Sequence, residues 1–284
     1  MRTSALALAL LSCVALAAMA VGAERTASVS GDWSAKETWG GETVPGDGDT
    51  VVVKDDAKVN VSDERIVGAS GAKGTLAVNL GKTGELVIAK GGLLRVRGDV
   101  AYTPASTQPA VTVQGGGTWR WDASKAAAPK DTQYRFRATA ESGFRPFILS
   151  GTADAHAVLD SDIAGAPGCF TRDGKVYGGG FAASYADIAR IGDAKTPGWD
   201  IRPLDERKAL LWDVQHSTFT HCGLISVMSP PFFRHNYNAH FESQGPAVFG
   251  DILVVQRGLA HLLVLRAARM NPIAASRSVT TVGQ

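Results

Sequence analysis

The chain has 284 residues, with 29 Lys and Arg against 27 Asp and Glu and a formal net charge of +2. A nucleic-acid binder would carry a clustered positive excess, so that class is set aside. After the leader, no apolar segment approaches the roughly 18 residues that a membrane span needs.

Taken in chain order, Arg2 is followed by an uncharged apolar stretch from Ala5 to Ala20 and by the small residues Val21-Gly22-Ala23. This pattern predicts a signal peptide over residues 1–23 and a mature protein that is secreted or on the cell surface. Leu10-Leu11-Ser12-Cys13 is a loose lipoprotein signal, but the apolar run continues past Cys13, where a lipoprotein would turn polar. The remaining chain is long enough for one large domain or two small ones, and one domain is expected. Cys169 and Cys222 survive cleavage and form a candidate disulfide for an oxidising compartment; two buried free thiols are the other reading.

From Gly31 the chain reads GDWSAKETWGGETVPGDGDTVVV. Trp33 and Trp39 precede a Pro45–Asp49 turn and a valine run. Short apolar runs follow at Thr50–Val53, Lys58–Val61, Thr75–Val78, Glu85–Ile88, Leu93–Val96 and Ala110–Val113, each bounded by Gly, Asp, Asn or Lys. These are strand signals with turn punctuation, and no amphipathic helix period separates them. The hairpin dipeptides are scarce: Asp47-Gly48 and Asp173-Gly174 are the only Asp-Gly or Asn-Gly pairs. Strands without hairpins predict a coil that turns a corner after each strand, about 20 residues per three-strand coil. The expected fold is all-β: a single-stranded, right-handed parallel β-helix (solenoid) with an N-terminal cap. The first coil of such a solenoid exposes an apolar end, which Trp33 and Trp39 are large enough to cover.

The same residues carry a resemblance. Gly31, Trp33, Thr38, Trp39, Gly40, Gly41, Val44, Pro45, Gly48, Asp49 and Val51 resemble the opening of the eight-glycine ("G-eight") domain and related bacterial secreted right-handed β-helix proteins. The following GELVIAKGGLLRVRGDV is similar to the glycine-ladder coils of those proteins. The resemblance covers residues 31–101. It implies a pectin-lyase-like fold and an extracellular role; the family includes hyaluronan-degrading cell-surface proteins. The expected organisation is a cap with first coils over 24–101, further coils with loop excursions over 102–260, and a C-terminal tail or cap over 261–284. A chain cut short of its full length is the other reading of that last segment.

In the middle of the chain, Trp119 and Trp121 have the same parity on one strand, and Trp199 sits in a Pro197-Gly198-Trp199 loop. These three are the candidate sugar-binding aromatics. Residues 164–208 read as loop-rich, and 208–227 as another coil with Trp212 and Val214 inward and a bend at His216-Ser217. His221 reads as an interior residue. Asp160 and Asp162 are two apart on a strand and so share a face, the arrangement that calcium binding or glycoside hydrolysis would use. Asp205 and Glu206 are a second acidic pair. Five of the six histidines follow residue 215. Arg234, His235, Tyr237 and His240, beside Pro230-Pro231 in an expected loop, are the candidate catalytic set: a lyase needs a base, an acid and a cation for the substrate carboxylate, although three histidines could equally ligate a metal.

No Gly-x-Ser-x-Gly elbow, His-Glu-x-x-His site or phosphate-binding loop is present. No cofactor is expected, and calcium is the cation that the paired acids would suit. The expected function is non-catalytic contact with extracellular polysaccharide by a monomer. A polysaccharide lyase or glycoside hydrolase, and a structural fragment of a longer surface protein, are the alternatives.

Overall fold

A computed structural model describes residues 22–69, 75–103, 108–126, 128–129, 132–139, 145–162, 168–171, 180–192, 198–201, 212–220, 222, 225–227, 233–237 and 240–242. The leader, except Gly22 and Ala23, and the segment 261–284 lie outside the described residues. The chain opens with β1 (Glu24–Ala27), β2 (Gly31–Asp32) and one 3-10 turn at Lys36–Trp39. Coils of three strands follow. They are β3 (Thr50–Val53), β4 (Lys58–Val61), β5 (Glu64–Val67); β6 (Leu76–Leu80), β7 (Glu85–Ile88), β8 (Leu93–Val96); and β9 (Asp99–Tyr102), β10 (Val111–Gln114), β11 (Thr118–Trp121). Then come β12 (Tyr134–Ala138), β13 (Phe147–Ser150), β14 (Ala157–Ser161); β15 (Gly168–Thr171), β16 (Phe181–Ser184), β17 (Ala186–Ala189); β18 (Trp199–Ile201), β19 (Trp212–Gln215), β20 (Thr218–Thr220); and β21 (Ile225–Val227), β22 (Phe233–Tyr237), β23 (His240–Glu242).

Every third strand joins the same sheet. The first sheet runs β1-β3-β6-β9-β12-β15-β18-β21, the second β2-β4-β7-β10-β13-β16-β19-β22, and the third β5-β8-β11-β14-β17-β20-β23. The strand pairs are parallel, as in Lys58–Val61 on Glu85–Ile88 and Leu93–Val96 on Thr118–Trp121. This is the three-sheet parallel β-helix, and the right-handed sense is the one that twisted strands of L-residues take in nearly all parallel crossovers.

Period-two alternation explains the core. Val59 and Val61, Leu86 and Ile88, and Val111 and Val113 point inward and are buried, while Lys58, Asn60, Thr112 and Gln114 point out. Register stacks the inward residues in columns, such as Leu94, Trp119, Leu159, Ile188 and Phe219 on the third sheet. Each fully buried large aliphatic or Phe side chain contributes up to about 1.5–3 kcal/mol. Aromatic rings continue the columns, with Phe147 and Phe181 stacked at 6.4 Å and Tyr102 and Phe136 at 4.9 Å.

The corners are tight, and glycine sets how tight. A Cβ on Gly92 would stand 2.1 Å from the carbonyl oxygen of Val61 on the coil before. That contact is with backbone, which has nowhere to move. Gly92→Ala is expected to cost about 1–3 kcal/mol, read as a lower thermal midpoint; an unchanged midpoint would show that the corner has slack.

The cap forms as the tryptophans predict. The third sheet begins one coil later than the other two, and the 3-10 turn fills that place. Trp33 and Trp39 are buried at its core, edge to face with centroids 5.1 Å apart. Trp39 Nε1 donates to the Trp33 carbonyl at 2.7 Å, and Trp33 Nε1 to the Pro45 carbonyl at 3.1 Å. Gly40, in the left-handed region at φ 68°, ends the turn.

Two expectations are corrected. Coils are longer than expected, because first-sheet strands begin at Thr50, Leu76, Asp99 and Tyr134, with loops inserted at corners. The segment read as loop-rich, 164–208, carries β15 to β18. β16 and β17 are rich in Ala, and none of the four strands contains Val or Leu, so they lack the signal that marks the earlier coils.

Candidate functional site

The outer face of the third sheet gathers the exposed chemistry. Register sets Arg95 beside Arg120 and Arg120 beside Asp160 on successive rungs. Arg95 Nε donates to Glu64 at 2.8 Å. Asp160, itself buried, accepts from Arg120 Nη2 at 3.1 Å and from Arg190 Nε at 3.0 Å. Arg190 adopts φ 58° at the end of β17, and its Nε also reaches the Ser161 carbonyl at 2.6 Å. The carboxylate thus lies under two guanidiniums, which remain 29% and 38% exposed. Like charges directly opposite are unfavourable, and the flanking acids Glu64 and Asp160 offset the Arg95–Arg120 pair.

The edge of the same face, where the second sheet turns into the third, carries rings. Tyr185 alone connects β16 to β17, and His216 begins the bend from β19 to β20; both are left-handed, at φ 46° and 47°. One such residue turns the chain sharply enough to change sheets. Because both bends occur at the same rung position, the two rings stack, 4.5 Å apart and 7° from parallel. His156 lies 6.2 Å from Tyr185, and its Nδ1 is 3.1 Å from Asp187 Oδ1. All of these side chains are partly or fully exposed.

The opposite edge of the third sheet, where it turns into the first, is acidic and closed. Arg97, Asp122 and Asp162 each follow directly on strands in register, so they stack at one corner. Arg97 Nε donates to Asp122 Oδ2 at 2.9 Å, and its Nη1 to Asp47 Oδ1 at 2.5 Å. The Ser124 amide donates to both carboxylates, at 3.0 Å to Asp122 and 2.9 Å to Asp162. The Ala123 amide adds a bond to Asp162 at 3.0 Å. Burial would raise Asp122, but the Ser124 bonds, the bond to Asp162 and the charge of Arg97 hold it down at about 2. Asp162 is raised, by burial first and then by the neighbouring Asp122. Tyr134 beneath them is pushed up to about 12 by burial and by the charge of Asp122.

The predicted residues fall as follows. Trp119, Trp121 and Trp199 are fully buried, which corrects their reading as sugar platforms. Same parity turns Trp119 and Trp121 into the coil, in register with Leu94 and Val96, and Trp199 packs against Phe181 and Phe219. A ring enclosed on both faces has none to offer a ligand. Asp160 and Asp162 do not converge: Asp160 is taken by arginines on the outer face, and Asp162 stands past the strand end, at the corner. Cys222 is a free buried thiol pushed up to about 12 by burial; the side chain of Cys169, on β15, lies outside the described residues. Arg234, His235 and Tyr237 lie on β22 and His240 on β23, strands rather than the expected loop. The side chains of those four, together with Asp205, Glu206 and His221, lie outside the described residues. His156, Tyr185, Asp187 and Arg190 were missed by sequence reasoning. The only signal for them was an isolated His ahead of a strand and a Tyr between two small-residue runs.

No protein-family model, no curated protein and no solved structure matches the chain. The class that can be stated is the one the coordinates define: a parallel β-solenoid of three sheets with a buried aromatic stack.

Proposed function

We propose that this is an extracellular or cell-surface protein that contacts polysaccharide along the outer face of its third sheet without cleaving it. The observation that carries the reading is the stacked, partly exposed Tyr185–His216 ring pair at the edge of a face bearing Arg95, Arg120 and Arg190. Rings supply apolar contact for sugar faces, and fixed guanidinium forks supply donors to hydroxyls and carboxylates. A row that repeats rung by rung suits a polymer better than a small molecule. The resemblance of residues 31–101 to the eight-glycine domain supports the extracellular setting. Asp122 and Asp162 accept from one shared amide at the opposite edge of the sheet, so they do not flank a polymer bound on this face.

The test is affinity electrophoresis of the purified chain in gels cast with a panel of uronic-acid polysaccharides, with and without calcium. Retardation without an unsaturated product is expected. Tyr185→Asn, which removes the ring yet tolerates the left-handed backbone, should weaken retardation about three- to tenfold. No retardation by any polysaccharide would reject the reading.

One observation favours a lyase as the second reading. Asp187 on His156 Nδ1 orients the imidazole and leaves Nε2 for proton abstraction, with Tyr185 alongside. An unsaturated uronate product that disappears in His156→Gln would establish it.

A further inference from the structure

The acidic corner does more than fill space, because it reaches the cap. Asp47 belongs to the loop that links the tryptophan lid to β3, whereas Arg97, Asp122 and Asp162 close three successive coils beyond it. Arg97 is nearly enclosed, with its side chain 5% exposed; Asp122 is 3% exposed and Asp47 56%. The line therefore runs from a carboxyl pair, Asp122 buried and Asp162 half-buried, through a buried guanidinium to an exposed carboxylate on the lid loop.

We propose that this line is a proton-dependent clasp: with one proton held between Asp122 and Asp162, Arg97 binds the lid loop through Asp47, and loss of that proton releases the loop. When Asp162 ionises, two adjacent carboxylates compete for one guanidinium. Arg97 is drawn toward them, and Asp47 is the partner it gives up, because water replaces the bond at an exposed carboxylate at little cost. Among the described residues, Lys125, next to Ser124, is exposed, and the other charged or titratable groups around the corner have partners of their own. Asp99 on β9 is bound by the Arg135 amide and by Arg137 Nε, and Tyr134 on β12 remains neutral. Arg190, beyond β17, is bound to Asp160 and to the Ser161 carbonyl.

The sign follows from the two acids. Asp122 is depressed, so its contribution is present above the unfolded carboxyl range and is lost as pH falls toward about 2. Asp162 is raised, so the contribution of its proton is present at low pH and is lost as pH rises through its raised value. The clasp is strongest between these limits and weakens as pH rises through the raised value of Asp162.

The lid loop is fastened by the Gly48 amide to the Gly68 carbonyl at 3.2 Å and the Gly68 amide to the Asp49 carbonyl at 2.8 Å. Hydrogen exchange of these two amides in the full chain, corrected for the intrinsic pH dependence, reads the clasp. Protection is expected to fall about tenfold per pH unit as Asp162 loses its proton, while amides of β7 stay unchanged. Asp162→Asn mimics the protonated acid and should keep the loop protected across the range. Asp47→Asn, at an exposed site that does not threaten folding, should leave the loop weakly protected at every pH. Wild-type protection that does not change with pH, or the same pH dependence in Asp47→Asn, would overturn the proposal.

Discussion

Replacing Arg145 with Met is expected to destabilise the protein by about 3–5 kcal/mol, the largest single loss foreseen for a polar residue here. Arg145 is 0% exposed, and its hydrogen bonds among the described residues go to no carboxylate. Its guanidinium donates instead to carbonyl oxygens: Gly81 at 2.5 Å, Gly84 at 2.7 Å, Pro109 at 2.6 Å and Gln108 at 3.3 Å. Burial lowers its basicity, with the charge of Glu85 opposing. Methionine fills much of the same volume, so the loss reports the unpaired carbonyls rather than a cavity. Lysine keeps the charge but lacks the planar fork, so Arg145→Lys should fall between the two. Urea unfolding measures all three proteins; a methionine variant that unfolds at the wild-type urea concentration would show that those carbonyls are satisfied in another way.

Trp39→Ala should cost about 3–5 kcal/mol and also change the protein's behaviour in solution. The indole packs against Trp33 and ties down its carbonyl, so truncation leaves a cavity and a broken bond together. It also opens the apolar end above Val51, Val53 and Val61, an edge that solenoids keep covered. Light scattering should therefore show concentration-dependent self-association in the variant at temperatures where the wild type scatters little. Trp39→Phe keeps most of the packing and loses only the indole donor, so it should cost about 1–2 kcal/mol and remain dispersed. A stable, monodisperse alanine variant would mean that the lid is held elsewhere.

Sequence reading is strongest where side chains are large and alternate. Four of the strands, Thr50–Val53, Lys58–Val61, Glu85–Ile88 and Leu93–Val96, stand as their valine and leucine runs predict. Parallel winding was legible from what was missing, since the chain lacks hairpin dipeptides. β5 and β9 give a weaker signal because their aliphatic residues, Ile66-Val67 and Val100-Ala101, are few and adjacent, so no period of two marks a buried face. The tryptophans show the limit of parity: Trp119 and Trp121 were correctly placed on one face, but nothing local says which face is inside. The exposed site was the least legible part. Tyr185 and His216 lie far apart in sequence and meet only because two bends occur at the same rung position, which no spacing rule for a single strand reveals.

Arg145 also bears on how the molecule comes apart. A stack in which each layer touches only the next behaves as a one-dimensional array and can fray layer by layer from a free end. A side chain rooted before β13 that grips backbone at Gly81 and Gly84 skips a layer, so those layers must be lost together. Pulled by its ends, the N-terminal half should yield in one large step rather than a series of small ones.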